Sequence, residues 1–145
     1  MSRRPETQRT PDLRVGPFAL WIIGSEHAEE AQEAETWLRA TAHCGAAGAI
    51  VDVSGGIILT DDLDRFAAEL ECLHATRSGT ASLIATEPYL VVKLTWTTPD
   101  CIEGMVEITP DPGTQAHTFR FTLDPSLVPG ILAQLRPIRV TWRHM

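Results

Sequence analysis

Five glutamates lie within ten residues of one another near the N-terminus. They are Glu26, Glu29, Glu30, Glu33 and Glu35, in the stretch EHAEEAQEAETWLRA. Carboxylates in such numbers could bind a divalent cation, form a catalytic acid–base pair, or attract a cationic partner. Calcium loops include a turn glycine, which this stretch lacks, and a catalytic pair must face across a cleft that nothing here indicates. A surface for a cationic partner and a solvated loop are the two interpretations left open.

Histidine and cysteine side chains offer the other candidate chemistry. His43 and Cys44 are adjacent, and neighbours in a strand point to opposite faces, so both cannot reach one ion. Cys72 and His74 are two apart on a predicted helix and do not face each other. A metal site or a cysteine nucleophile would therefore need tertiary contacts, for example from His117. Phosphate-binding, metalloprotease and hydrolase motifs are absent, and we predict no catalytic residue, no metal and no cofactor.

Composition narrows the class of protein. The chain has 145 residues and a formal net charge of −7, which disfavours direct binding to nucleic acids or to anionic membranes. Three cysteines, an odd number, predict free thiols in a reducing compartment. A signal peptide and an apolar run of about 20 residues are both missing, so we expect a cytoplasmic protein. We predict a disordered tail over residues 1–10 and a single α+β domain over residues 11–145.

Period-two patterns predict short strands. In residues 36–44, Trp37, Arg39, Thr41 and His43 alternate with apolar neighbours. GAAG at 45–48 predicts a hairpin turn, and Gly55-Gly56 a break before a short strand at 57–59. Further strands are expected at 13–15, 18–23, 82–85, 89–97, 102–109 and 117–123. Residues 26–34 are expected to form an exposed loop.

Two amphipathic segments predict helices. Residues 60–75 place apolar side chains on one stripe, with Thr60 as the expected cap. Asp124-Pro125 starts the second helix, Pro137 should end it, and residues 138–143 would add an edge strand. The expected fold is α+β, with one or two antiparallel sheets of about six to eight short strands and two packed helices.

The order of these segments resembles the WapI-type immunity proteins of bacterial contact-dependent toxin systems, and related small uncharacterised bacterial domains. Those families show an acidic stretch running into a Trp-Leu strand, a Leu-Thr-capped helix, a Thr-Glu-Pro segment before a strand, and a C-terminal helix. The matching positions are Glu33, Glu35, Trp37, Leu38, Leu59, Thr60, Leu63, Leu70, Thr86, Glu87, Pro88, Leu90 and residues 127–135.

The resemblance implies a non-catalytic immunity protein that binds and neutralises a cognate toxin domain, which is expected to be basic. The partner surface would then be Glu26, Glu29, Glu30, Glu33, Glu35 and Trp37. Two alternatives stay open at this point. One is a small-molecule-binding domain or enzyme with a pocket between sheet and helix that holds His43, His117 or a cysteine. The other is a subunit that assembles with itself through the edge strand at 138–143.

Overall fold

A computed structural model describes residues 9–26, 37–46, 48–85 and 90–142. Within these residues the chain forms eight strands and two α-helices. The strands make two antiparallel sheets of four, and neighbours along the chain are neighbours in each sheet. The predicted α+β fold with two packed helices is confirmed.

Sheet A comes first along the chain and sheet B follows α1. Sheet A consists of β1 (Leu13–Val15), β2 (Phe18–Glu26), β3 (Trp37–Ala46) and β4 (Ala49–Leu59). Sheet B consists of β5 (Gly79–Ile84), β6 (Leu90–Thr98), β7 (Cys101–Ile108) and β8 (Thr118–Leu123). β3 contacts both β7 and β8, and β4 contacts β7, so the two sheets pack against each other. The predicted tail, residues 1–10, lies outside the described residues except for Arg9 and Thr10.

The strand predicted from alternation is present as β3. Leu38, Ala40, Ala42 and Cys44 are fully buried, whereas Arg39 on the opposite face is exposed. The predicted break at Gly55-Gly56 is wrong, because β4 runs unbroken from Ala49 to Leu59. Gly55 has φ 139°, and the register with β3 shifts where Leu38 and Arg39 pair with Ile58 and Gly56. The glycines therefore accommodate a bulge within one strand.

The first helix, α1 (Thr60–Thr76), matches the predicted apolar stripe. Leu63, Phe66 and Leu70 are buried, as expected for a helix that packs against a core on one side. The expected cap is wrong, since Leu59 precedes the helix and Thr60 is its first residue. The Asp62 carboxylate instead accepts a hydrogen bond from the Leu59 amide at 2.8 Å.

The second helix, α2 (Val128–Trp142), follows a single 3₁₀ turn at Pro125–Leu127. The Asp124 carboxylate accepts from the Ser126 amide at 2.9 Å, as predicted for a capping residue. The predicted stop at Pro137 and the edge strand at 138–143 are both wrong, because residues 138–142 are helical. A proline removes one backbone hydrogen bond, and this loss is offset by tertiary contacts: Ile138 is buried and Arg139 donates to Asp64 on α1 at 2.7 Å.

Both helices also supply hydrogen bonds to strand edges. The Gln134 side chain of α2 accepts from the Arg14 amide at 2.7 Å and donates to the Arg14 carbonyl at 3.3 Å. The Glu69 carboxylate of α1 accepts from the Ser82 amide at 2.8 Å. Arg14 lies on β1 and Ser82 on β5, so each sheet has one outer edge closed by a helix. This closure satisfies main-chain groups that an exposed edge would leave open.

Phe121 of β8 joins the two sheets at a point where only glycine leaves room. A Cβ added to Gly16, in the turn between β1 and β2, would lie 2.6 Å from two carbons of the Phe121 ring. A Cβ on Gly104, the partner of Phe121 on β7, would overlap the same ring. Gly16 also has φ 55°, a conformation that favours glycine. The aromatic ring thus occupies space that side chains at Gly16 and Gly104 would otherwise fill.

We expect Gly104→Ala to lower the free energy of unfolding by about 1–3 kcal/mol. The added methyl group would overlap the Phe121 ring and push it away from β7. Gly130→Ala is the matched control, since a Cβ there meets nothing within 4 Å. In a helix, that substitution should stabilise by about 0.5–1 kcal/mol. Urea denaturation followed by circular dichroism measures both. Equal midpoints for the two variants would contradict the packing described here.

Candidate functional site

The predicted partner surface is anchored at one end of sheet A. Glu26 ends β2 and Trp37 begins β3, and the two residues are Cα partners. The four other predicted residues, Glu29, Glu30, Glu33 and Glu35, lie outside the described residues. Trp37 is half-buried. The chain therefore leaves and re-enters the sheet at one point, which places both ends of the glutamate-rich segment together.

The start of α1 lies at this same end. Trp37 is also the Cα partner of Leu59, the residue before the helix. Asp61 and Asp62 lie in the first turn of α1, where the positive end of the helix dipole favours anions. Asp62 is buried and lies 3.6 Å from Arg65, while Asp61 is exposed. Glu26 on β2 and Leu59 on β4 thus flank Trp37 in the sheet, and α1 begins directly after Leu59.

At the other end of sheet A, a histidine and a carboxylate pair on the outer face. His43 Nδ1 lies 2.6 Å from Asp52 Oδ1, and the two residues are cross-strand partners on β3 and β4. The His43 and Trp21 rings are in a T-shaped arrangement, with centroids 6.4 Å apart and an interplanar angle of 80°. Trp21 in turn donates to the Arg9 carbonyl at 2.8 Å. A histidine held by a carboxylate is one part of a nucleophile-activating triad. A catalytic role would also require a hydroxyl or thiol group at the other ring nitrogen of the histidine.

The hydroxyl groups nearby lie on the wrong side of His43 for such a triad. Thr41 and Ser54 are the next cross-strand pair, and their hydroxyl groups are 3.0 Å apart. The free ring nitrogen of His43, Nε2, instead lies 3.3 Å from where a Cβ on Gly45 would be. Thr41 and Gly45 flank His43 on the same face, in opposite directions. Within the described residues the pair is therefore a structural contact between two strands.

The alternation in the sequence placed His43 on one face of the strand with Trp37, Arg39 and Thr41 but did not identify its partner. The register of the hairpin contains the missing signal: the turn at 45–48 pairs Ala46 with Ala49, and counting back pairs His43 with Asp52. The hydrogen bond between Trp21 and the Arg9 carbonyl could not be predicted in this way, because Arg9 fell within the predicted tail. Its guanidinium donates to the Asp12 carboxylate at 3.0 and 3.1 Å and to the Ile22 carbonyl at 2.8 Å.

The other two histidines that the structure describes, His74 and His117, lie on other segments than His43. His74 lies near the C-terminal end of α1, and His117 precedes β8, where its Nε2 lies 3.1 Å from Gln115 Oε1. Across residues 9–26, 37–46, 48–85 and 90–142, no group of three or more His, Cys, Asp or Glu side chains could hold a metal ion.

A shallow pocket of about 460 Å³ opens between the end of α1, the β6–β7 turn and the start of the 3₁₀ turn. Its walls carry opposite charges from Arg77, Asp100 and Asp124, together with His74 and Trp96. The Ser126 amide and hydroxyl lower the pKa of Asp124 through hydrogen bonds to its carboxylate. His43, His117 and the three cysteines do not line this pocket.

The three cysteines are free and differ in environment. Cys44 is buried on the inner face of β3, and desolvation raises the pKa of its thiol from 9.0 to about 11. Cys72 is exposed on α1, and Cys101 at the start of β7 is half-buried. A thiol held in its neutral form is a poor nucleophile, so Cys44 serves in packing.

The fold is a two-sheet α+β domain in which Trp37 and the start of α1 lie at one end of sheet A. Residues 13–139 match the model of the Immunity protein WapI-like family, and the chain belongs to this family. The match covers most of the chain and confirms the resemblance seen in the sequence. No curated protein and no solved structure matches the chain. Among the described residues, neither helix has the length and apolar character needed to cross a membrane.

We expect the folded protein at pH 8 to react through Cys72 and Cys101 with a thiol reagent such as dithionitrobenzoate, while Cys44 stays unmodified. Burial both shields the Cys44 sulfur and keeps it protonated up to a pH near 11. Above pH 9, thiolate formation favours the unfolded chain, so this contribution to stability falls as the pH rises through 9 to 11. Unfolding in guanidinium should release the third thiol. Rapid reaction of all three thiols in the folded protein would contradict the assignment. The Cys72→Ser variant identifies which of the two accessible thiols reacts faster.

Proposed function

We propose that this protein is an immunity protein that neutralises a cognate toxin domain by binding it, with no bond made or broken. Membership of the WapI-like immunity family carries this proposal. The partner surface we propose comprises Glu26, Glu29, Glu30, Glu33, Glu35 and Trp37. It would require no cofactor and no metal, and it would act in the cytoplasm on a toxin domain of basic character.

Charge supports this choice of surface. The protein carries a formal net charge of −7, and a field of that sign speeds encounter with a cationic partner. Glu26 and Leu59 are the Cα partners of Trp37 at the end of sheet A where the glutamate-rich segment begins and ends, and Asp61 lies in the helical turn after Leu59. An aromatic side chain surrounded by charge is a common arrangement in protein interfaces, because the ring contributes contact area and the charges orient the partner.

The two alternatives lack comparable support. The pocket beside α1 holds none of the groups that a small-molecule site or enzyme was expected to use. Self-assembly was expected through an edge strand at 138–143, and residues 138–142 are helical.

The first test is co-expression with the toxin domain encoded beside this gene. We expect the protein to restore growth and to co-purify with that domain at equal stoichiometry, because inhibition by binding requires a complex that dissociates slowly. A catalytic antidote would restore growth without a stable complex. Growth arrest in the presence of the folded protein would contradict the proposal.

The second test reverses charge on the partner surface. We expect the triple variant Glu29→Lys, Glu30→Lys, Glu33→Lys to slow association with the toxin domain about 10-fold or more at low salt, and to flatten the salt dependence. The matched control is Glu71→Lys, Glu103→Lys, Glu107→Lys, three exposed residues elsewhere that change the net charge by the same amount. Stopped-flow fluorescence measures both rates. Equal slowing in the two variants would show that net charge alone sets the association rate. The glutamate-rich segment would then have no specific role in binding.

A further inference from the structure

The four outer edges of the two sheets are not equivalent. β1 contacts α2 and β5 contacts α1, and helix side chains bond to Arg14 and Ser82 on those edges. β4 and β8 form the opposite edges of their sheets. An open edge presents main-chain donors and acceptors that can pair with another extended chain.

The direction of each main-chain group follows from one hydrogen bond. The Gly45 amide donates to the Pro17 carbonyl at 3.4 Å, so Gly45 and every second residue of β3 face β2. Intervening residues face β4, which makes Cys44–Val51 and Ala42–Val53 the hydrogen-bonded pairs. Ile50 and Asp52 therefore point their amide and carbonyl groups away from the sheet.

The same rule accounts for the closed edges. Alternation along sheet A turns the amide and carbonyl of Arg14 outward, where Gln134 binds both. In sheet B, the Ala85 amide donates to the Leu90 carbonyl, so Ser82 points outward and Glu69 binds its amide. Within the described residues, no such partner reaches the main chain of Ile50 or Asp52.

Charge and shape distinguish β4 from β8. The outward residues of β8 include Arg120, whereas those of β4 include Asp52. The Asp52 side chain is 58% exposed even though its Oδ1 lies 2.6 Å from His43 Nδ1. β4 has eleven residues and β8 has six. Ile50 is 70% exposed, and neither lysine nor proline, two common protections against pairing, occurs in β4. The bulge, a third protection, lies further along β4 at Gly55-Gly56, beyond Ile50 and Asp52. A cationic strand is therefore accepted by β4 and opposed by β8.

We propose that the edge of β4 at Ile50 and Asp52 pairs with an extended segment of the toxin domain that carries lysine or arginine beside Asp52. This inference rests on the proposed function for the identity of the partner. A second copy of the chain fits this edge poorly, because each copy has a net charge of −7 and paired β4 edges would bring two Asp52 carboxylates close together. The contact lies at the end of sheet A away from Trp37.

Amide hydrogen exchange measured by NMR tests this pairing in the co-purified complex. We expect the amides of Ile50 and Asp52 to exchange at least about 10-fold more slowly in the complex than in the free protein, because each gains a hydrogen bond. The Arg120 amide on β8 is the internal control and should not change. A stable complex without added protection at Ile50 and Asp52 would overturn the β4 pairing and leave the proposed function intact. Failure to form any complex would overturn both.

A backbone substitution provides the second measurement. Ile50→Pro removes an outward amide and spares the hydrogen bonds to β3, a position where strands tolerate proline. We expect it to weaken binding of the toxin domain about 10-fold or more, whereas Ile50→Val, which keeps the amide, should change affinity less than about 3-fold. Arg120→Pro on the other edge should leave affinity unchanged. Equal affinity of Ile50→Pro and Ile50→Val would contradict the proposal, as would a concentration-dependent dimer of the free protein that protects the same amides.

Discussion

Hydrogen bonding at the sheet edges is the constraint on which the arrangement of this domain depends. A four-stranded sheet leaves main-chain donors and acceptors open along two strands, and buried groups of this kind need partners. Here α1 and α2 provide them through Glu69 and Gln134, which bond to Ser82 and Arg14. The helices therefore do more than cover apolar surface, since they also determine which edges of the two sheets are closed.

Packing between the sheets imposes a second constraint through Phe121. Its ring fills space beside Gly16 of sheet A and Gly104 of sheet B, so three residues distant in the chain depend on one another's size. The ring is half-buried and packs against the core, so a methyl group added at either glycine has to displace it. The turn between β1 and β2 is thereby held against β7 and β8.

The chemistry of the domain agrees with a binding role. The His43–Asp52 pair has a free ring nitrogen over Gly45, away from the hydroxyl groups of Thr41 and Ser54. The buried thiol of Cys44 has a raised pKa, which makes it unreactive. The two features that we propose for binding are instead the end of sheet A at Trp37 and the edge of β4. Recognition of a protein is the role that membership of the WapI-like immunity family suggests.

Local patterns in the sequence were enough to predict β3, α1 and the capping role of Asp124, because alternation, apolar stripes and turn residues depend on neighbours along the chain. The family and the fold class were also accessible, since short motifs preserve the order of elements. Tertiary contacts decided the rest. Pro137 lies within a helix because Ile138 is buried and Arg139 binds Asp64, and β4 continues through Gly55-Gly56 because β3 accommodates the bulge. Which edges are open depends on contacts between helices and strands, such as the one between Gln134 and Arg14, 120 residues apart in the chain, and no local pattern contains that information.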